Sequence, residues 1–275
     1  MISSSLTISP QRPLQQPLPL IHSFYGTDVT YIHDCGFSHF VDGCCPGLLQ
    51  LLQQHGITRG RIVDVGCGGG ISTAALAATG FETLGIDQSA AMIKIARQRL
   101  PAGQFMRGSL DDQPLPECQA VIAVGEVLNY TRTAHPARRL NQFFSRVHRA
   151  LSDNGLLIFD IREPLKRDNL SLSHQWQGGD WICLVQQKLT RRGRTLTRQV
   201  TTFRQVGKLY RRQDEIHVQS LYSNNALVTS LRTHGFQVQT RRSYGNYRLH
   251  NHRLVVVARK VAKRRSPRAF VPLAG

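Results

Sequence analysis

Apolar positions along this chain fall into a repeating alternation of two periods. Short β-branched runs recur at residues 61–65, 82–86, 104–107, 120–124 and 156–161. The stretches between them carry apolar residues at helical spacing. Pro46 opens one, with Leu48, Leu49, Leu51 and Leu52 as its stripe and Gly56 as its stop. Residues 71–78 form a second, stopped by Gly80. A third is capped by Ser89, carries Met92, Ile95 and Ala96, and ends at Pro101. The strongest spans 137–151, where Leu140, Phe143, Phe144, Val147 and Leu151 share one face, and residues 152–155 break it. Residues 25–40 read only as a polar–aromatic segment. Strand–helix alternation of this kind implies a parallel, doubly wound α/β sheet.

After residue 161 the pattern changes. Residues 181–190 and 195–206 alternate in the period of a strand around a turn at 191–194, which predicts a hairpin. Gly207 starts another turn, and 215–222 reads as a further strand. Alternation then resumes with a helix over 223–234, closed by Gly235, and strands at 236–241 and 254–258. An antiparallel patch is thus inserted between the fifth and sixth strands of a seven-stranded, mostly parallel sheet. The expected division is a disordered leader over 1–22, a core over 23–161, a basic insertion over 162–222, completion of the sheet over 223–260 and a basic tail over 261–275.

Composition narrows the class. The chain has 275 residues, 41% of them apolar, enough for a full α/β domain with an added lobe. No apolar run approaches the ~18 residues of a membrane span. The proline-rich start lacks a secretory signal. Six cysteines show no C-x-x-C pair and no regular spacing, which points to a reducing cytoplasm and to no structural metal. The net charge of +18 is unevenly placed: residues 1–160 carry 12 Lys/Arg and 12 Asp/Glu, whereas residues 161–275 carry 23 against 5. That asymmetry means an acidic partner, either nucleic acid or an anionic substrate, or simply a solvated surface.

The chemistry concentrates at Ile62-Val63-Asp64-Val65-Gly66-Cys67-Gly68-Gly69-Gly70, a strand that runs into a loop of alternating glycines and then a helix. A dinucleotide fingerprint would need a third glycine at position 71, which is Ile71. Asp87 closes the second strand, where a carboxylate can accept two ribose hydroxyls beyond the carboxyl edge of the sheet. Glycines at 66, 68 and 70 with Asp64 ahead of them resemble motif I of the class I S-adenosylmethionine-dependent methyltransferases. The resemblance covers residues 25–260 and implies a Rossmann-like methyltransferase fold with S-adenosylmethionine as cofactor. It places the cofactor against Asp64, Gly66, Cys67, Gly68, Asp87, Gln88 and Gly125, with Ser109, Leu110 and Asp111 at the adenine. The run Glu215–Tyr222, a helix and then Gly235-Phe236 resemble the ending of bacterial small-molecule methyltransferases, including sugar N,N-dimethyltransferases and glycine N-methyltransferase-like enzymes. In those the inserted patch covers the acceptor or builds a homodimer.

The corner after strand four, Gly125 to Tyr130, lies beside the acceptor in related enzymes. It lacks the Pro-Pro-aromatic motif that grips nucleobase amines and the Pro-Cys pair of cytosine C5 chemistry, and no carboxylate–His cluster suggests a metal. A base is needed only if the acceptor keeps its proton at neutral pH. The candidates are Glu126, His33 and His217, with Tyr31 and Tyr130 as orienting groups. The favoured expectation is methyl transfer to a nitrogen or oxygen of a small metabolite. RNA methylation through the basic half, and a catalytically silent cofactor-binding interaction protein, are the alternatives.

Overall fold

The structure, a computed structural model, describes residues 24–131, 133–165, 170–190, 193–250 and 252–262. The expected leader over 1–22, most of the tail over 261–275 and the tip of the 191–194 turn lie outside the described residues. The chain opens with α1 (Thr27–Phe37) and α2 (His39–Gln54), then alternates through β1 (Arg61–Val65), α3 (Ile71–Ala77), β2 (Glu82–Asp87), α4 (Ala90–Arg99), β3 (Gln104–Arg107), β4 (Cys118–Ala123), α5 (Pro136–Ala150) and β5 (Leu151–Arg162). Four strands follow: β6 (Ser171–Gln177), β7 (Trp181–Leu189), β8 (Thr195–Val206) and β9 (Leu209–Ser220). The chain ends with α6 (Asn224–Thr233), β10 (Phe236–Arg241), the small pair β11 (Ser243–Tyr244) and β12 (Tyr247–Arg248), and β13 (Arg253–Lys260).

The main sheet has seven strands in the order β3–β2–β1–β4–β5–β13–β10. Only β13 runs antiparallel to its neighbours. Strand order reverses between β1 and β4, which opens a crevice at their carboxyl ends. β1, β4, β5 and β13 read as almost continuous apolar runs because both of their faces are covered. On one face Phe143, Phe144 and Val147 of α5 pack with Leu227 and Leu231 of α6. On the other, Leu48, Leu51 and Leu52 of α2 pack with Leu76 of α3. The second sheet, β6–β7–β8–β9, is wholly antiparallel and lies between β5 and α6 in the chain.

Four local features depart from the expectation. Residues 27–37 form a helix, whose entry is stabilised from afar: the Glu215 carboxylate accepts the Tyr25 N–H at 2.9 Å and the Gly26 N–H at 2.7 Å. No residue near the helix signals that cap. α2 begins seven residues before Pro46 and keeps the proline inside it. The predicted break at 152–155 is a kink within β5, with Asn154 at φ 64° and a register irregularity opposite Cys118 and Ala120. β6 carries no alternation to read, since all seven of its residues are exposed.

Gly47 shows how tightly α2 is seated. A Cβ there would press into the Tyr244 carbonyl and the Gly245 nitrogen, which are backbone atoms with nowhere to go. Alanine is the better helix former by about 1 kcal/mol, so propensity alone favours Gly47→Ala. Overpacking instead is expected to lower stability by about 1–3 kcal/mol, read as a lower urea midpoint. A raised midpoint would show that α2 can slide off the β11–β12 pair.

Candidate functional site

Three buried or half-buried aspartates shape the crevice at the strand reversal. Asp64 is 1% exposed, and one of its oxygens accepts from Ser72 Oγ at 2.6 Å and Thr73 Oγ1 at 2.7 Å. It therefore fixes the first turn of α3 behind the glycine loop. Burial pushes its carboxyl up to about 6, against the pull of the two hydroxyls. Asp87 accepts the Gly68 N–H at 3.0 Å and the Ser89 N–H at 2.8 Å, joining the loop to the start of α4. Asp160 is fully buried on β5 and accepts the Gly125 N–H at 2.7 Å, the Glu126 N–H at 2.9 Å and the Tyr244 hydroxyl at 3.1 Å. The turn it holds is one that ordinary residues avoid, with φ 99° at Gly125 and 61° at Glu126.

A cavity of about 710 Å³ runs from this crevice to the inner face of the second sheet. Every residue expected at the cofactor lines it except Asp64: Gly66, Cys67, Gly68, Asp87, Gln88, Ser109, Leu110, Asp111 and Gly125. Asp64 does not line it, and one of its oxygens is held by the first turn of α3. The space fits an elongated ligand. A Cβ on Gly68 would meet nothing nearer than Met92 Sδ at 3.8 Å, and one on Gly125 would meet nothing within 4 Å. Both glycines thus face room that a ligand can fill. Each Asp87 oxygen still has a free lone pair beyond its backbone bond. Asp111 is paired with Arg139, and the Leu110 carbonyl is held by Arg146.

Of the candidate acceptor-side groups, His33, Glu126, Tyr130 and His217 line the cavity and Tyr31 does not. Tyr31 donates to Asp180 at 3.0 Å and lies under the Arg204 guanidinium, pinning α1 to the second sheet. Glu126 is 3% exposed and bound on both oxygens, by Arg198 at 3.1 Å, Gln219 at 3.0 Å and Arg253 at 2.6 Å. Burial would raise its carboxyl, but Arg198, Arg253 and Arg162 outweigh it and hold the value down at about 2. Glu126 is consequently a poor proton acceptor. Burial likewise lowers His33 to about 4, which keeps it neutral.

His217 is different. Its Nε2 lies 2.7 Å from Glu215 Oε2, and the rings of Phe24, Tyr25 and Tyr130 surround it at 5.3, 5.2 and 5.8 Å between centroids. Tyr25 and Tyr130 share a hydroxyl–hydroxyl bond of 2.9 Å. The Tyr25 carbonyl accepts from Ser89 Oγ at 2.7 Å, so the entry to α1 is tied across the crevice. Sequence reasoning missed Asp160, Glu215, Tyr25 and the arginines at 162, 198 and 253. Asp160 had a signal, a charge inside the apolar run 156–161. The arginines had none, since each sits in a strand with no motif around it. Among the described residues no group of three or more metal-binding side chains is gathered, and no helix is long and apolar enough to cross a membrane.

Comparison with known proteins agrees with this geometry. Residues 63–159 match the family model described as a methyltransferase domain. A methyltransferase-class protein of Geobacillus sp. (strain WCH70) is 29% identical over 190 residues, 65% of this chain and 74% of that one. Among solved structures, an S-adenosylmethionine-dependent methyltransferase from Clostridium acetobutylicum superposes with a TM-score of 0.73 at 16% identity, covering 86% of this chain and 98% of that one. A sugar N-methyltransferase from Streptoalloteichus sp. gives 0.71 at 15% identity over 95% and 99% of the two chains. At such identities the two structures establish the shared fold.

The Asp160 carboxylate makes a testable demand. Burial lifts it from its ordinary 3.8 to about 6, although the two N–H bonds act the other way. A raised folded value means that its contribution to stability is full below the unfolded pKa and falls as pH rises through about 6. Asp160→Asn abolishes that titration and leaves one of the two N–H groups without an acceptor, a cost of about 1–3 kcal/mol. The variant is expected to be less stable than the parent, with the gap narrowing from about pH 5 to about pH 7.5. Urea midpoints at the two pH values check this, and a gap that widens with pH is the contrary result.

Proposed function

We propose that this chain is a class I S-adenosylmethionine-dependent methyltransferase that methylates a nitrogen or oxygen of a small metabolite held between the crevice and the β6–β9 sheet. The observation that carries this reading is the single cavity shared by the glycine loop and the inner face of that sheet. His174, Trp176, Cys183, Val185, Val200 and His217 all line it from the inserted strands. A concave space bordered on that side by aromatic and apolar side chains suits a small acceptor better than a polymer. The inserted sheet then acts as a lid, keeping water from the transfer.

When bound, S-adenosylmethionine supplies a methyl group already activated by a sulfonium. The chain's task is to align and to shield. In this reading Asp87 holds the ribose hydroxyls with its free lone pairs. Gly66, Cys67 and Gly68 wrap the amino-acid end, while Ser109, Leu110 and Asp111 border the adenine. Gly125 leaves room for the transferring carbon. His217 takes the acceptor's proton. A carboxylate only accepts hydrogen bonds, so a neutral His217 gives its Nε2 hydrogen to Glu215 and keeps the Nδ1 lone pair. Glu215 is the positioning residue for that ring, and Tyr25 and Tyr130 bound the space beside it. Glu126 holds arginines in place and carries no proton.

Two measurements test these assignments. Asp87→Ala is expected to weaken S-adenosylmethionine binding about 10- to 150-fold, the loss of a bidentate, charge-assisted contact. Calorimetry on the folded variant reads it, and unchanged affinity would remove Asp87 from the cofactor site. His217→Gln is expected to lower kcat by about 100- to 10,000-fold, the usual contribution of a general base, with cofactor affinity unaltered. An undiminished kcat would mean that the acceptor arrives without a proton to lose.

A further inference from the structure

The acceptor end of the cavity holds more positive charge than it neutralises. Arg162, Arg198 and Arg253 come from three different strands, β5, β8 and β13, and all three line the cavity. Glu126 pairs with two of them, at 3.1 Å to Arg198 and 2.6 Å to Arg253. Asp160 stands nearby, but its oxygens are taken by the Gly125 and Glu126 N–H groups and the Tyr244 hydroxyl. Arg162 is left over. Its main chain is clamped by Asn129, which donates to the Arg162 carbonyl at 3.0 Å and accepts its N–H at 2.8 Å, so the side chain has a fixed root. Its Nε and Nη1 are buried without a hydrogen-bond partner among the described residues, and Arg198 Nε is in the same condition.

Buried guanidinium nitrogens without acceptors are costly, and those of Arg162 and Arg198 belong to side chains that border a cavity a ligand can fill. A guanidinium presents a planar fork that matches two oxygens of a carboxylate or phosphoryl group. Tyr130 already touches Arg198, at 3.5 Å from its hydroxyl to Nη1, which places this surplus charge beside the His217 and Tyr25 rings. Building on the small-molecule reading above, we infer that the methyl acceptor carries an anionic oxygen group, a carboxylate or phosphoryl, which seats on Arg162 with Arg198 beside it. The group's charge replaces the missing counter-ion, and the rest of the acceptor extends toward the crevice. Arg162 and Arg198 are then specificity-determining residues for the transfer.

The full chain tests this with a cell-extract ultrafiltrate, split over an anion exchanger at neutral pH before any reaction. Each pool is offered with methyl-labelled S-adenosylmethionine. Label is expected in products of the retained pool. Arg162→Gln is expected to need about 10- to 100-fold more of that pool for half-maximal rate, the loss of a charged hydrogen bond. Its S-adenosylhomocysteine affinity by calorimetry should stay unchanged, and Arg162→Lys should fall between the two. Phosphatase treatment of the retained pool separates the sources: lost acceptor activity identifies a phosphoryl group, and surviving activity a carboxylate. Label only in products that carry neither a carboxylate nor a phosphoryl group by mass spectrometry would overturn the anionic acceptor while leaving the small-molecule reading intact. So would an Arg162→Gln chain that uses the retained pool as well as the parent does. Label entering only RNA or protein, when the retentate of the same filtration is offered in parallel, would overturn both. The labelled products are read on the unaltered chain, so they decide the matter even if the variants fold poorly.

Discussion

Backbone N–H groups that turn away from the sheet edge must find acceptors, and this constraint organises the whole cleft. At the carboxyl ends of β1 and β4 the chain leaves the sheet through left-handed conformations, at Gly66 and Gly68 on one side and Gly125 and Glu126 on the other. The neighbouring strand satisfies part of the first turn, the Ile86 carbonyl accepting the Gly66 and Cys67 N–H groups at 2.7 and 3.1 Å. Carboxylates take the amides that no strand reaches. Asp87 serves Gly68 and Ser89, and Asp160 serves Gly125 and Glu126. Asp64 fixes the helix that follows the first loop. The loops are therefore shaped before any ligand arrives, which is the condition for positioning catalysis.

The same device recurs above the crevice. The inward face of β9 carries Glu215, His217 and Gln219 where an ordinary half-buried strand would carry apolar residues. Glu215 binds the entry to α1 and the His217 ring at once. Asp28, in the first turn of α1, is bound by Arg211 and Arg204 from the second sheet, and these hold its carboxyl below the usual range, Arg211 most of all. Since α1 also reaches Ser89 through the Tyr25 carbonyl, one helix couples the cofactor crevice to the roof. Displacing α1 would disturb both ends of the cavity together.

Much of this was legible in the sequence where local periodicity decides the outcome. β1 to β5, α3 to α5 and the hairpin of β7 and β8 follow from apolar spacing, and the glycine loop announces the crevice. The resemblance to methyltransferases on residues 62–70 and 82–87 matches the family found by comparison. What was not legible depends on distant partners. α1 is capped by a carboxylate 189 residues further along, and β6 is exposed at every position, so neither leaves a periodic trace. Asp64 was read as a ligand to the cofactor because of its place in the motif. Only the folded chain shows one of its oxygens engaged by both Ser72 and Thr73, and its side chain outside the cavity lining. Glu126 looked like a base until three arginines from separate strands converged on it.

Those arginines also give the cavity a direction. Its crevice end is lined by Asp87 and backed by Asp64, carboxyls that burial lifts above their ordinary values. A cation placed there would draw them back down and gain by doing so. Its far end is bordered by guanidinium groups in excess of their carboxylates. A sulfonium at the first end and an anionic acceptor at the second, as proposed, would each meet complementary charge. The surplus of arginine in the second half of the chain then has a local meaning. Among the described residues most of it faces solvent, but three guanidinium groups gathered near Glu126 give the far end of the cavity its positive charge.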